Sequence, residues 1–149
     1  MIITAATVTD LADWAALRQA LWPSHGQEAH AADIVQMLAT PKDMANFIAR
    51  TADGVAVGLA EAALRHDYVN GCKTSPVAFL EGIYVAPQCR RSGTARMLAA
   101  AVEEWARAHG CSEFASDAGI DNIDSHRMYA VLGFEETQRV VYFRKELRA

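Results

Sequence analysis

A cluster of arginines and small residues, Arg90-Arg91-Ser92-Gly93-Thr94-Ala95, lies between a β-prone run and the most regular amphipathic helix pattern of the chain. The first N–H groups of a helix lack intrahelical acceptors and lie at the positive end of the helix dipole, so they can bind a phosphate or pyrophosphate. Gly93 and Ala95 leave the backbone accessible to an anion, and Arg96 adds positive charge. The cluster has neither the Gly-Lys-Ser/Thr of a Walker A loop nor the GxGxxG of a dinucleotide-binding turn. It predicts either an anion-binding turn or a surface turn with solvated arginines.

Two carboxylates, Glu81 and Asp117, lie near the ends of separate predicted strands. Carboxylates that converge on a pocket can bind an ammonium group, and one of them can accept its proton. The alternative is that each is a solvated surface charge, the usual role of an acidic residue. Tyr68 lies in a polar loop, and Trp22 before Pro23 fits either a buried helix end or a flat aromatic surface for a ligand. Together these residues favour a site for a polyamine.

Length and composition predict one globular domain over residues 1–149, because a chain with 52% hydrophobic and 21% charged residues buries a sizeable core. Lys plus Arg number 14 and Asp plus Glu number 18, so the formal net charge is 14 − 18 = −4. Nucleic-acid binding needs a basic face, and this charge favours a polycationic small molecule instead. No run approaches the roughly 18 consecutive apolar residues of a membrane span, and the N-terminus does not resemble a signal peptide. We therefore expect an intracellular protein with neither a nucleic-acid nor a membrane partner.

Cysteine and histidine spacing matches no disulfide framework or metal site. The three cysteines, Cys72, Cys89 and Cys111, cannot all pair within one chain. The histidines form no HxxxH, HExxH or Cys/His cluster; they are His25, His30, His66, His109 and His126. We therefore expect a reducing, cytoplasmic compartment, no bound metal and no catalytic role for Cys72.

The order of elements indicates how the candidate residues are positioned. The predicted elements are a strand at 2–6, a helix that Thr9 caps and Pro23 ends, a helix at 28–38, strands at 45–50, 55–64 and 77–85, a helix at 94–109, a strand at 113–116, a helix at 125–132, and strands at 134–139 and 140–146. Asp53-Gly54 is a hairpin turn, and residues 66–76 form a long polar loop. Gly82 fits a bulge, a close approach or simple packing. This alternation predicts an α/β (α+β) domain with a mixed central sheet flanked by helices.

Two segments of the chain resemble the cofactor-binding segments of the GNAT N-acetyltransferase superfamily. The pattern Arg-x-x-Gly-x-Ala at 90–95 is similar to its acetyl-CoA pyrophosphate loop, and Asn122 with SHRMYAVLGF at 125–134 is similar to its second cofactor segment. The resemblance implies the GNAT fold, with acetyl-CoA as the donor. The cofactor-binding residues that it implies are Ile83, Tyr84, Val85, Arg90, Arg91, Ser92, Gly93, Thr94, Ala95, Arg96, Asn122 and Tyr129. Helix capping is the alternative role for Asn122.

Further blocks are similar to the aminoglycoside 6′-N-acetyltransferases found as chromosomal enzymes of Gram-negative bacteria. The blocks are Leu21-Trp22-Pro23 with His25, and residues 65–72, 79–83, 115–117 and 133–137. The resemblance implies acceptor-binding roles for Trp22, His25, Tyr68, Glu81, Asp117, Glu136 and Gln138, and catalytic roles for Asp117, Glu81 and Tyr129. Asp117 would accept the ammonium proton, and Tyr129 would protonate the departing CoA thiolate. Some close relatives have an acid where this chain has Gln138, which predicts a weaker contact with one acceptor amine.

Three functions are compatible with the sequence. The first is acetyl-CoA-dependent acetylation of the 6′-amine of aminoglycosides by direct attack, which would give antibiotic resistance. The second keeps the same fold and donor but uses another polyamine, peptide or protein amine as acceptor. The third is a CoA-binding sensor with little catalysis. The apolar run at 140–143 fits an internal strand or a dimer edge, and the resemblance favours a homodimer.

Overall fold

A computed structural model describes residues 1–148 and has a five-stranded mixed sheet at its centre, in the order β1-β2-β3-β4-β5. The strands are β1 (Ile2–Ala5), β2 (Met44–Arg50), β3 (Ala56–Arg65), β4 (Val77–Val85) and β5 (Phe114–Ser116). Strands β1 to β4 pair antiparallel, whereas β4 and β5 pair parallel. The helices are α1 (Leu11–Leu21), α2 (Gln27–Ala39), α3 (Thr94–Ala108) and α4 (Ile123–Val131), with short 3₁₀ turns at Val8–Asp10, Pro23–His25 and Pro87–Cys89.

Each face of the sheet carries its own apolar core, since successive residues of a strand point to opposite faces. On one face, Ile48 and Leu59 pack against α1 and α2, with Trp14 and Ile34 fully buried between them. On the other face, Ala49 and Ala60 belong to a cluster that includes residues of β4 and α3. The predicted mixed sheet flanked by helices is therefore confirmed, and each helix layer meets a different set of strand residues.

The N-terminal cap of the first helical segment differs from the prediction. Thr7, rather than Thr9, precedes the helical turns, and its backbone N–H donates to Asp10 Oδ2 at 2.8 Å. Thr9 lies inside the 3₁₀ turn that leads into α1. The difference arises because a capping box needs an acid three residues after the cap, and Asp10 meets that spacing from Thr7.

The two strands predicted at the C-terminus are wrong. Residues 134–148 form no helix or strand in the described part of the chain, and those from 135 to 148 are exposed. A strand forms only where its N–H and C=O groups meet those of a neighbour, and the sheet of residues 1–148 ends at β1 and β5. The apolar run therefore stays on the surface, with Phe143 93% exposed.

Candidate active site

A cleft opens where β4 and β5 separate. Within the described residues, β5 pairs with β4 only from Ala78 to Leu80, so the following residues of β4 pair with β3 alone. The last parallel pair is Leu80 with Ser116, and Ser116 Oγ donates to Leu80 O at 2.8 Å. The Tyr129 hydroxyl, from α4, lies 2.7 Å from the same Ser116 oxygen. A partly buried tyrosine is thus held at the apex of the cleft.

A β-bulge turns Glu81 out of β4 at the same place. In the β3–β4 register, Glu61 pairs with Gly82 and Ala62 with Leu80, so Glu81 is the extra residue. Gly82, predicted to fit a bulge or a close approach, lies beside the bulge and also meets a close neighbour. A Cβ atom there would lie 2.5 Å from Cζ2 of Trp22, closer than any ordinary contact. Glycine therefore allows the Trp22 ring to lie directly on β4, next to Glu81.

The two predicted carboxylates flank the cleft apex. Glu81 and Asp117 each follow the last pair that joins β4 to β5, Leu80 with Ser116. Glu81 accepts from Arg65 NH2, which lies 3.0 Å from each carboxylate oxygen. Asp117 is exposed and acts electrostatically on Tyr129. The cleft mouth is therefore acidic on both strands, with one carboxylate already paired to a cation.

The surroundings of Tyr129 keep its phenol protonated. Burial raises the pKa of the hydroxyl above its usual value, the hydrogen bond with Ser116 lowers it in part, and the Asp117 charge raises it again. In the neutral state the Ser116 proton lies on Leu80 O, so Tyr129 is the donor to Ser116. If Tyr129 loses its proton, the Ser116 hydroxyl can rotate and donate to the phenolate. The pair can therefore release a proton from the apex and stabilise the charge that remains.

The arginine cluster forms a turn that leads directly into α3. Arg91 and Gly93 have positive φ values of 60° and 84°, and Gly93 is the N-cap of α3. The Met97 N–H donates to Gly93 O at 3.0 Å, so the N–H groups of residues 94–96 have no intrahelical acceptor. A Cβ added at Gly93 meets nothing within 4 Å, so the space outside the turn is open. This geometry is compatible with the anion-binding alternative of the sequence analysis.

Two of the arginines predicted to bind the cofactor donate hydrogen bonds to backbone carbonyls of this chain. Arg90 Nε donates to Val85 O at 2.8 Å and so connects the turn to the end of β4. Arg96 NH2 donates to Val131 O at 3.2 Å, which connects the start of α3 to the end of α4. Their positive charge stays beside the turn, but these donors also fix its position. Arg91 is exposed.

The remaining predicted site residues lie in the 66–76 loop, in the turn after α1, at the start of α4 and in the C-terminal segment. Tyr68 is 74% exposed in the 66–76 loop, and the exposed His25 ring lies 5.5 Å from that of His30. Asn122 Oδ1 accepts from the Ser125 N–H at 3.2 Å, which is the capping role that the sequence left open. Glu136 pairs with Arg139 at 2.6 Å, and Gln138 is exposed in the same C-terminal segment. That segment touches the 66–76 loop, where Thr137 packs against the Gly71 backbone.

Three residues near the candidate site were not predicted from the sequence: Ser116, Glu61 and Arg18. Ser116 had a weak signal as the polar residue before Asp117 at a strand end. Glu61 had a stronger one, since it is a single charge in the apolar run VGLAEAAL, and it is only 4% exposed. Arg18, which lies on the buried side of α1, pairs with Glu61. A charge at a core position of a predicted element signals a buried partner, but the sequence does not say which.

The surroundings of Cys72 and Cys111 disfavour their thiolate forms. Burial raises the pKa of the Cys72 thiol, and the Glu113 carboxylate raises it further. Burial likewise raises the pKa of the Cys111 thiol. Among residues 1–148, no three His, Cys, Asp or Glu side chains gather where they could hold a metal ion. None of the helices in that range has the length and apolarity to cross a membrane.

Comparison with known proteins places these features in a family context. The model of the acetyltransferase (GNAT) family matches residues 11–134. The chain is 58% identical over 134 residues to aminoglycoside N(6′)-acetyltransferase type 1 of Serratia marcescens, which covers 90% of this chain and 91% of that protein. The family match spans β2 to β5 and all four helices, so it includes both sides of the cleft.

Solved structures give the same result. The apo aminoglycoside 6′-N-acetyltransferase AAC(6′)-IG of Acinetobacter haemolyticus superposes with a TM-score of 0.93 at 47% identity, covering 99% of this chain and 100% of that one. AAC(6′)-Iy in complex with the bisubstrate analogue CoA-S-monomethyl-acetylneamine gives a TM-score of 0.91 at 49% identity, covering 98% of each chain. The likeness therefore extends over the whole fold and is not limited to the two cofactor segments.

Proposed function

The chain belongs to the GNAT acetyltransferase family and to its aminoglycoside N(6′)-acetyltransferase type 1 group, and we propose that it acetylates the 6′-amino group of aminoglycosides with acetyl-CoA. The observation that carries the proposal is the cleft between β4 and β5. One end leads to an anion-binding turn, and the apex has Glu81 and Asp117 on opposite strands. A donor with a pyrophosphate and an acceptor with several ammonium groups are the two ligands that this charge pattern suits.

The donor binds along β4 and the turn that follows it. The pyrophosphate accepts from the N–H groups of residues 94–96, with positive charge from Arg91 beside it. The pantetheine arm lies along the free edge of β4 at Ile83, Tyr84 and Val85, which have no β5 partner among the described residues. A backbone N–H of this edge polarises the thioester carbonyl. Ser92, Thr94 and Ala95 shape the turn, and Asn122 contacts the pantetheine from the start of α4.

The acceptor binds at the acidic mouth of the cleft. Glu81 binds an ammonium group and shares its charge with Arg65. Trp22 and Tyr68 offer flat surfaces to the sugar rings. His25, Glu136 and Gln138 contact more distant parts of the acceptor, from the turn after α1 and from the C-terminal segment. An acceptor with several ammonium groups thereby meets carboxylates from two separate parts of the chain.

The reaction is direct acyl transfer. Asp117 accepts a proton from the 6′-ammonium, directly or through a water, and the free amine attacks the thioester carbonyl carbon. The C–N bond forms and the C–S bond breaks, Tyr129 donates its proton to the departing thiolate, and the new amide nitrogen releases its second proton to solvent. The Ser116 hydroxyl then rotates from Leu80 O to the phenolate, which regains a proton from solvent. No covalent enzyme intermediate is needed, in keeping with the raised pKa of Cys72.

A thiol-release assay with acetyl-CoA tests this proposal. The acceptors are kanamycin, tobramycin, amikacin and gentamicin, with spermidine and a lysine peptide as other amines, and the acetylated nitrogen of each product is mapped by NMR. We expect turnover at the 6′-amine of aminoglycosides. Turnover of spermidine or the peptide alone would show another acceptor class, and CoA binding without any turnover would indicate a sensor.

The chain's assembly and location follow from the same proposal. We expect a homodimer formed through the exposed C-terminal apolar residues, because they remain 44–93% exposed in the described monomer. They are Val140, Val141, Tyr142, Phe143 and Leu147. Light scattering on the purified protein gives the mass directly. We place the enzyme in the cytoplasm, where acetyl-CoA is made, as a single domain over residues 1–149 that gives aminoglycoside resistance.

A further inference from the structure

A buried polar network connects α1, α2 and β3. It lies next to Trp22, one of the proposed acceptor-binding residues. Glu61, 4% exposed in β3, accepts from Trp14 Nε1 at 2.7 Å and from Arg18 of α1. Arg18, 7% exposed, donates through Nε to His30 Nδ1 at 3.2 Å and also reaches the half-exposed Asp33. A buried ion pair of this kind is costly to desolvate, and well-packed apolar residues often serve stability as well. Stability alone therefore does not explain why this network is present, which favours a role in the site.

The hydrogen bonds of His30 determine which ring nitrogen donates and connect the network to Trp22. Because an arginine Nε always carries a hydrogen, His30 Nδ1 must accept, so His30 is neutral with its proton on Nε2. That Nε2–H donates to the backbone carbonyl of Trp22 at 2.9 Å. The Arg18 guanidinium carbon also lies 4.9 Å from the centroid of the Trp22 ring. Trp22 is thus held twice, at its carbonyl and at its ring.

Trp22 lies at the junction between α1 and the turn that follows it, where its N–H makes the last helical bond, to Arg18 O at 2.7 Å. Trp22 follows the last residue of α1 and precedes Pro23, so the helix ends there and the chain turns. Its side chain reaches β4 and lies against Gly82, one residue from Glu81. A shift of the turn between α1 and α2 would move the ring relative to that carboxylate.

We propose that Arg18, His30 and Glu61 are positioning residues that hold Trp22 against Gly82 and so fix the wall of the acceptor site. The proposal rests on the proposed function for the identity of the acceptor. The network touches neither the free edge of β4 nor the turn at Gly93 among the contacts described above. Its loss therefore weakens acceptor binding and leaves the donor site unchanged.

Substitution of His30 separates positioning from general stability. His30→Phe keeps an aromatic ring but removes both hydrogen bonds, and we expect the KM for tobramycin to rise about three- to tenfold. The KM for acetyl-CoA stays unchanged. His30→Gln restores an acceptor for Arg18 and a donor for the Trp22 carbonyl, so it recovers most of the affinity. A second route replaces the ion pair by Arg18→Met with Glu61→Met, which leaves no unpaired buried charge but removes the acceptor of Trp14 Nε1 and the donor to His30 Nδ1. We expect the same selective rise in the KM for tobramycin.

His109 provides a matched control, because it too bonds a tryptophan carbonyl and packs on that ring. Its Nδ1 lies 2.9 Å from Trp105 O, and the two ring centroids are 4.9 Å apart. His109→Phe is expected to change neither KM. Equal rises in both KM values for His30→Phe, or no recovery with His30→Gln, would overturn the proposal.

A measurement without turnover distinguishes this proposal from the proposed function. Protein labelled with 5-fluorotryptophan gives fluorine NMR signals that Trp22→Phe and Trp105→Phe assign. We expect His30→Phe to shift or broaden the Trp22 signal and His109→Phe to affect only Trp105. An unchanged Trp22 signal in His30→Phe overturns the positioning role. If that signal responds but no aminoglycoside is acetylated, the positioning of Trp22 stands and the proposed acceptor is wrong.

Discussion

Replacing Gly82 with alanine is the sharpest test of how the acceptor wall is built. The added Cβ would lie 2.5 Å from Trp22 Cζ2, 2.7 Å from Cη2 and 2.8 Å from Leu21 Cδ2. Ordinary carbon contacts begin near 3.5 Å, so the ring must move by about 1 Å. Gly82 does not have a positive φ, so alanine adds no backbone strain and the effect comes from the contact alone.

The size of the effect depends on how far Trp22 can yield. Its carbonyl is held by His30 and its ring by Arg18, so relaxation is resisted. Overpacking of this kind costs about 1–3 kcal/mol of folding free energy. For a chain of this length the melting temperature falls by about 2–12 °C. A wall displaced by about 1 Å lowers kcat/KM for the aminoglycoside by roughly ten- to a hundredfold.

Steady-state kinetics and thermal unfolding of the same preparation measure both effects. The change should appear with tobramycin as the varied substrate, whereas the KM for acetyl-CoA stays at the wild-type value. Gly119→Ala is the control, because a Cβ there meets only Asn122 Cβ at 4.0 Å and no positive φ is involved. If Gly82→Ala melts at a lower temperature but binds tobramycin as tightly as wild type, Trp22 is not part of the acceptor wall.

Three further changes test Asp117 as the proposed base, the turn at Gly93 as the proposed pyrophosphate site, and Tyr129 as the proposed acid. Asp117→Asn is expected to lower kcat about 10²- to 10⁴-fold while calorimetry shows unchanged CoA affinity; a wild-type rate would remove Asp117 from the mechanism, and the exposed Asp121→Asn is its control. Gly93→Val forces a branched residue to φ 84° and should raise the Kd for CoA about tenfold. Gly54→Val, at φ 87° in the β2–β3 turn, carries the same strain and should leave that Kd unchanged. Ser116→Ala removes the hydrogen bond that lowers the pKa of Tyr129, so in ¹³C-tyrosine NMR that phenol should ionise at higher pH than in wild type; ionisation at lower pH would contradict the assigned geometry.

Much of the fold could be predicted because its signals are local. The turn at Asp53-Gly54, the strand at Val77–Val85 and the helix from Thr94 each depend on residues within one element. The C-terminal strands failed for the opposite reason. Their residues have high β-propensity, but a strand also needs a neighbouring strand to pair with. The described monomer does not supply one.

Parts of the candidate site were equally local. The anion turn is one continuous segment, and the family resemblance of residues 90–95 and 122–134 was carried by sequence alone. Arg65 and Ser116 could not be found this way. Arg65 meets Glu81 from the far end of β3, and Ser116 meets Tyr129 from a different element. The first pair is set by strand register, which a one-residue bulge changes, and the second by how α4 packs on β5.

The sequence by itself determined the class of fold, and it supplied a candidate anion-binding turn and acids suited to a cationic acceptor, because composition and short-range spacing govern these properties. Tertiary structure decided which charges remain available. Arg90 and Arg96 each donate a hydrogen bond to a backbone carbonyl. Glu81 forms an ion pair with Arg65, and Glu61 forms one with Arg18 in the core. A charge acts according to what lies within a few ångströms of it, and only the packed chain sets those distances.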